Sequence, residues 1–162
     1  MFTRIEALAR VAMECELEAL DLPLFRAVSL PRTHHAEQLM VESERALNAE
    51  RYGEMVSLII RAWDEFNRNF KQAQRARLFC EEMLKDCSSP NWKVNSVHRQ
   101  EAVVLNEQNL TKANQCVARI NAYVSELQHY FIETDMMNRQ CGFETSSDWE
   151  RVVCEAREWR EC

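Results

Sequence analysis

Between residues 51 and 87 the apolar side chains fall on a seven-residue lattice. Tyr52, Ile59, Phe66, Ala73, Cys80 and Cys87 hold one position of it, and Met55, Ala62, Asn69, Ala76 and Met83 hold a second. Val56, Trp63, Phe70 and Leu84 widen the stripe. Residues three and four apart share one face of a helix. The lattice therefore predicts one continuous helix over 51–87, roughly 55 Å long at about 1.5 Å per residue. Two apolar positions per heptad suit a coiled-coil seam, whereas three suit a helix covered by several neighbours. This helix belongs to the second kind.

A matching lattice runs through Val103, Leu110, Val117, Val124 and Phe131, with Asn106, Ala113, Ile120 and Leu127 beside it. It predicts a helix over about 92–140, beginning at Asn91 or Ser96 and stopped by Gly142, a residue that takes the left-handed cap conformation cheaply. The turn Ser88-Ser89-Pro90 between the two long helices is short, so they are expected to lie antiparallel. Folding them about residue 89 brings Asn69 near Asn106 or Asn109. Those amides either hydrogen-bond in the seam and fix its register, as buried polar seam residues do, or face water.

Three shorter helices complete the pattern. The first, over 4–20, opens on the capping box of Thr3 and Glu6 and turns Ile5, Leu8, Ala12, Cys15 and Ala19 inward. The second, over 36–48, has Thr33 as its cap and a stripe of Ala36, Leu39, Met40, Ser43 and Leu47. The third, over 148–161, opens on the box of Ser147 and Glu150 and gathers Trp149, Val152, Val153, Ala156 and Trp159 on one face. Asn48 and Gly53 mark either a break or a soft spot near 48–53. The apolar segment from Asp21 to Pro31 is expected to pack across the helices. The expected fold is all-α: one domain over 1–162, an elongated helical bundle built on a long antiparallel helical hairpin with three shorter flanking helices.

Composition supports a few long elements. The chain of 162 residues has only 2 Gly and 3 Pro, against usual frequencies of about 7% and about 5%, and sheets need many turns that consume both. The net charge of −6 disfavours non-specific nucleic-acid binding, which calls for a basic surface. No stretch approaches the roughly 20 apolar residues of a membrane span. Arg4, Glu6, Arg10, Glu14, Glu16 and Glu18 interrupt the start of the chain, where a signal peptide needs an apolar core. The expected location is cytoplasmic and reducing. The 7 cysteines include no C-x-x-C pair, and they are expected to be free thiols acting as small hydrophobes.

Candidate chemistry is sparse. Glu126 and His129 form one E-x-x-H, whereas di-iron bundles use two such motifs, and the heptad turns both residues outward. His34 and His35 are adjacent at a helix start and cannot both face one site. Cys141, beside Gly142 and near Arg139, is the best-placed candidate for a reactive thiol, while Cys80 and Cys87 lie on the apolar seam. With 2 glycines, the chain has no phosphate-binding loop and no nucleophile elbow. Arg61, Arg68 and Arg75 recur every seven residues in an otherwise acidic chain. They either hold anions or an acidic partner helix, or pair within the chain with Glu150, Glu155, Glu158 and Glu161. Trp149 and Trp159 either seal the bundle or anchor a partner, and Met136 and Met137 are the analogous exposed candidates at the end of the second long helix.

These features favour a non-catalytic protein–protein interaction module, a scaffold, adaptor or assembly subunit without metal or cofactor, whose partner is another protein or a second copy of itself. Two rivals stand beside it: a helical metal protein or enzyme using Glu126 and His129, and an anionic-ligand or nucleic-acid binder using the arginine stripe.

Overall fold

The computed structural model describes residues 30–89, 96–142 and 144–160, and among them every regular element is an α-helix. In chain order these are α1 (His34–Asn48), α2 (Tyr52–Cys87), α3 (Ser96–Gln140) and α4 (Ser147–Glu158). The helix expected over 4–20, the apolar segment as far as residue 29, and residues 90–95 lie outside the described residues. The two long helices match the two lattices, and α3 starts at Ser96, one of its two expected origins.

The described residues pack as two compact units. One contains α2 from Lys71 onward and α3 as far as Ala118. There Ala73, Ala76, Cys80 and Met83 of α2 and Ala102, Ala113 and Val117 of α3 are buried. Among them the Asn106 amide, also buried, bridges the two helices: its Nδ2 donates to the Cys80 carbonyl across 2.8 Å.

The second unit combines α1, α2 as far as Phe70, α3 from Arg119, and α4. Its core is aromatic. Phe131 meets the edge of Trp63 at 5.7 Å between centroids and Trp149 at 5.2 Å. Phe66 stacks on Tyr123 at 4.9 Å, and Phe70 meets Trp159 edge-on at 5.5 Å. Offset and edge-to-face pairs of this kind add roughly 0.5–1.5 kcal/mol each beyond the area they bury.

The hairpin register differs from the one expected. Asn106 meets Cys80, and Phe66 meets Tyr123, so the pairing centres some residues beyond 89. The seam hydrogen bond expected of Asn69 with Asn106 or Asn109 is not formed: the Asn106 amide is used on Cys80. The Nδ2 atoms of Asn69 and Asn109 are instead buried without a hydrogen-bond partner among the described residues.

A second departure concerns the phase of α3. Its buried positions are Ala102, Asn106, Asn109, Ala113, Val117, Ile120, Val124, Leu127, Phe131 and Asp135. These intervals of three and four average close to eleven residues in three turns, the period of a helix that is not wound into a left-handed coil. A strict heptad extrapolated backward from Phe131 therefore drifts off the face, and Val103 and Leu110 are only half-buried. At the start of α2 the lattice also overreaches: Tyr52 is exposed, and burial begins at Met55.

The break between α1 and α2 is real, but neither Asn48 nor Gly53 makes it. Arg51 N–H donates to the Ala46 carbonyl at 2.8 Å and Glu50 N–H to the Leu47 carbonyl at 3.0 Å. This is a Schellman closure, in which the residue after the cap takes the left-handed conformation. That residue is Glu50, at φ 61. A side chain there costs roughly 1–2 kcal/mol against a helical backbone, and glycine avoids the clash. Glu50→Gly is expected to stabilise the chain by about 0.5–1 kcal/mol after glycine's unfolded-state entropy is subtracted, measured as a higher urea midpoint.

Other helix ends follow elementary capping rules with small corrections. Gly142 at φ 72 ends the turn after α3, as expected. The cap of α4 is Ser146, one residue before Ser147, and its Oγ accepts from the Trp149 N–H at 3.2 Å. Thr33 does not cap α1 with its side chain; its hydroxyl donates to Glu37 Oε1 at 3.0 Å.

Candidate interaction surface

The helix α4 is seated by one buried acid. Asp135 on α3 accepts from Trp149 Nε1 at 3.1 Å, from Arg139 Nε at 2.8 Å and from Arg157 at 3.1 Å. Burial alone would raise the Asp135 carboxyl. The hydrogen bonds from Arg139 and Trp149 and the charges of Arg139 and Arg157 outweigh that effect and hold it below its ordinary value. On the other side of α4, Arg151 makes two hydrogen bonds to Asp64 at 3.0 and 3.1 Å, and Trp63 Nε1 donates to Glu155 at 2.9 Å. Gln128 donates to the Ala156 and Trp159 carbonyls, satisfying the helix's C-terminal end.

These contacts decide the two tryptophans. Trp149 is buried and bonded to Asp135, so of its two expected roles it takes the seal and is not available to anchor a partner. Trp159 is half-buried against Phe70 and also serves the seal. Met136 and Met137 behave differently: they are 53% and 65% exposed on the last turns of α3.

The arginine stripe lies on the surface. Arg61, Arg68 and Arg75 are exposed, and among the described residues none forms an ion pair with the acids of α4. Those acids are committed elsewhere: Glu155 to Trp63 and Arg151, Glu150 to Thr145, and Glu158 to the Cys154 thiol. Arg75 Nε turns back to the Lys71 carbonyl at 3.4 Å.

Glu126 and His129 are both exposed on α3, as the lattice predicts. His129 Nε2 lies 3.0 Å from Glu133, a local pair one turn along. Among the described residues no three His, Cys, Asp or Glu side chains gather where they would hold a metal ion. His35 Nδ1 lies 2.6 Å from Glu65, tying the start of α1 to α2. Among the described residues no helix is long and apolar enough to cross a membrane.

The thiols divide by burial. Burial and the neighbouring charges of Glu81 and Asp86 push Cys80 and Cys87 up to about 11, which keeps both protonated and unreactive. Cys141 and Cys154 are exposed. Labelling of the native protein with a thiol reagent, followed by peptide mapping, is expected to modify Cys141 and Cys154 fully. Cys80 and Cys87 should react only once denaturant is added.

A groove of about 540 Å³ lies between α1 and α3 in the second unit. Met40, Val41, Leu47, Met55, Tyr123 and Tyr130 supply apolar and aromatic surface, and Glu37, Glu44 and Glu126 stand along it. Its geometry is fixed from beneath. Tyr123 stacks on Phe66, Tyr130 Oη donates to Met55 Sδ at 3.3 Å, and Ser43 Oγ donates to the Met55 carbonyl at 3.2 Å. Arg119 pairs with Glu37 at one end. Burial would raise the Glu37 carboxyl, but the Arg119 and Thr33 hydrogen bonds and the Arg119 charge hold it below its ordinary value. Glu44 and Glu126 have no ion pair among the described residues.

Periodicity alone misses this groove. Val41 and Glu44 lie off the apolar stripe of α1, and the opposite wall comes from a helix some eighty residues away in sequence. The available signal was that Met40 and Leu47 extend the α1 stripe beyond what a single neighbour covers. No known protein family, curated protein or solved structure matches this chain.

Proposed function

We propose that this chain is a non-catalytic interaction module, a scaffold, adaptor or assembly subunit that presents helix surfaces to a protein partner. One observation carries the reading. The unit formed by α1, α4 and the adjoining parts of α2 and α3 leaves Val41, Leu47, Tyr52, Met136 and Met137 exposed while burying its aromatic core. Val41 and Leu47 share one groove and Met136 and Met137 are adjacent in sequence; apolar exposure grouped in this way marks contact surfaces, and exposed methionines adapt to the shape of a partner at little cost.

The test is affinity capture from the native cell, with the wild-type chain compared to a Met136→Glu/Met137→Glu variant and a Val41→Glu/Leu47→Glu variant. The reading expects a partner in stoichiometric amount that is lost with at least one variant while helix content stays unchanged. A monomer that retains nothing, or a partner indifferent to both variants, would count against it.

Anion binding by Arg61 and Arg68 is the second reading, favoured by their exposure without an ion pair among the described residues. Salt-sensitive binding to an anionic vesicle or nucleic acid, lost on changing Arg61, Arg68 and Arg75 to glutamate, is its expected result. Binding that survives the triple change removes it.

A further inference from the structure

Resting on the interaction reading above, we propose that the α1–α3 groove is the docking site for a basic amphipathic helix of a partner protein. The argument begins with shape. The groove runs along α1 from Glu37 to Leu47, about 15 Å of helix, which accommodates close to three turns of a partner helix. Its floor is apolar but not closed: Val41 and Leu47 are 41% and 42% exposed. A helix laid here would bury residues spaced three and four apart against Val41, Leu47 and the two tyrosines, the helix-in-groove mode of peptide recognition.

Charge selects the occupant. Glu37 is neutralised by Arg119, but Glu44 on α1 and Glu126 on α3 stand on opposite walls without ion pairs among the described residues. An incoming helix therefore meets apolar surface at the centre and uncompensated negative charge on both sides. Lysine or arginine flanking its apolar stripe would satisfy both walls at once, and acidic side chains in the same places would be repelled. The same charges oppose a second copy of this chain across the groove, since a symmetric pair would bring these glutamates toward their own counterparts.

The probe is a display library of helix-forming peptides about eighteen residues long, with randomised apolar and charged positions, selected against the folded chain. The expected outcome is enrichment of peptides with a lysine- or arginine-flanked apolar stripe, binding more weakly as salt rises. Val41→Glu/Leu47→Glu should weaken the enriched peptides at least tenfold. Glu44→Lys/Glu126→Lys, which leaves the floor intact, should weaken basic peptides at least tenfold and admit acidic ones. Circular dichroism of each variant must show unchanged helix content; because the substituted side chains are all solvent-accessible, folding is expected to survive. Enriched peptides that are neutral or acidic would overturn the charge argument. Peptides that bind both variants as tightly as wild type would overturn the groove while leaving the interaction reading standing elsewhere on the surface. A sedimentation experiment showing a dimer abolished by Val41→Glu/Leu47→Glu would assign the groove to a second copy and overturn the basic-helix assignment. A selection that enriches nothing would overturn the proposal, and only the failure of native capture would then remove the interaction reading as well.

Discussion

Phe131→Ala is expected to be the most damaging single truncation in the chain, lowering stability by about 3–5 kcal/mol. The ring is fully buried. It is in contact with Trp63 of α2, Trp149 of α4 and the neighbouring Tyr130, so it ties together three helices of its unit. The loss has two parts: the transfer free energy of the missing ring atoms, and the cavity left among rigid aromatic neighbours that collapse poorly. Edge-to-face pairing with two tryptophans adds to both.

Urea denaturation gives the check. The midpoint should fall with an unchanged slope, because the surface exposed on unfolding is nearly the same. Tryptophan fluorescence should change together with helix content, since Trp63 and Trp149 both line the vacated site. Phe131→Leu, which keeps most of the volume, should recover more than half of the loss. A Phe131→Ala protein within about 1 kcal/mol of wild type would mean that the aromatic cluster does not organise this unit.

The sequence discloses most of the fold because a single physical rule governs it. Two glycines and an apolar residue every third or fourth place leave long helices as almost the only way to bury the stripe. Met55, Ile59, Ala62, Phe66, Ala73, Ala76, Cys80, Met83 and Cys87 are buried on α2 as the lattice requires, and so are Val117, Ile120, Val124, Leu127 and Phe131 on α3. What the lattice cannot carry is the relation between helices. Register is a relation between two helices that neither stripe carries alone, and centring the pairing on Ser89 put Asn106 beside Asn69, whereas it meets Cys80. Phase depends on the precise winding of each helix, which is why Val103 and Leu110 gave way to Ala102 and Asn109.

The candidate site was less legible for a related reason. Its chemistry is cooperative across elements, and single-strand patterns see one element at a time. The tryptophans of α4 carry the same amphipathic spacing whether they seal or anchor; only Asp135, an acid on the apolar face of α3, separates the cases. An acid four residues after Phe131, and so on the same face of the helix, was the available clue. Likewise Arg151, not the α2 arginines, pairs α4 with α2, through Asp64.

Asp135→Leu is expected to cost about 2–4 kcal/mol, and the reasoning fixes which part of the network matters. Arg139 and Arg157 have side chains 63% and 50% exposed, so on losing the carboxylate they return to water at little cost. Trp149 has no such exit. Its indole N–H is buried, and leaving it without an acceptor costs roughly 1–3 kcal/mol. The loss of charge-assisted hydrogen bonds adds to this, while leucine's apolar bulk offsets part of it. Asp135→Asn keeps an acceptor for Trp149 and should cost clearly less than leucine. The acid limb gives an independent check. Asp135 titrates below its ordinary value of 3.8 when folded, so its stabilisation is complete above about pH 4 and is lost as pH falls through the folded value. Glu37, also held below its ordinary 4.5, contributes in the same direction to every variant that retains it and cancels from their comparison. Wild type should therefore lose stability more steeply than Asp135→Asn as pH drops below about 4, narrowing the gap between them. Parallel curves for the two proteins across that range would show that the Asp135 charge does not hold α4 in place.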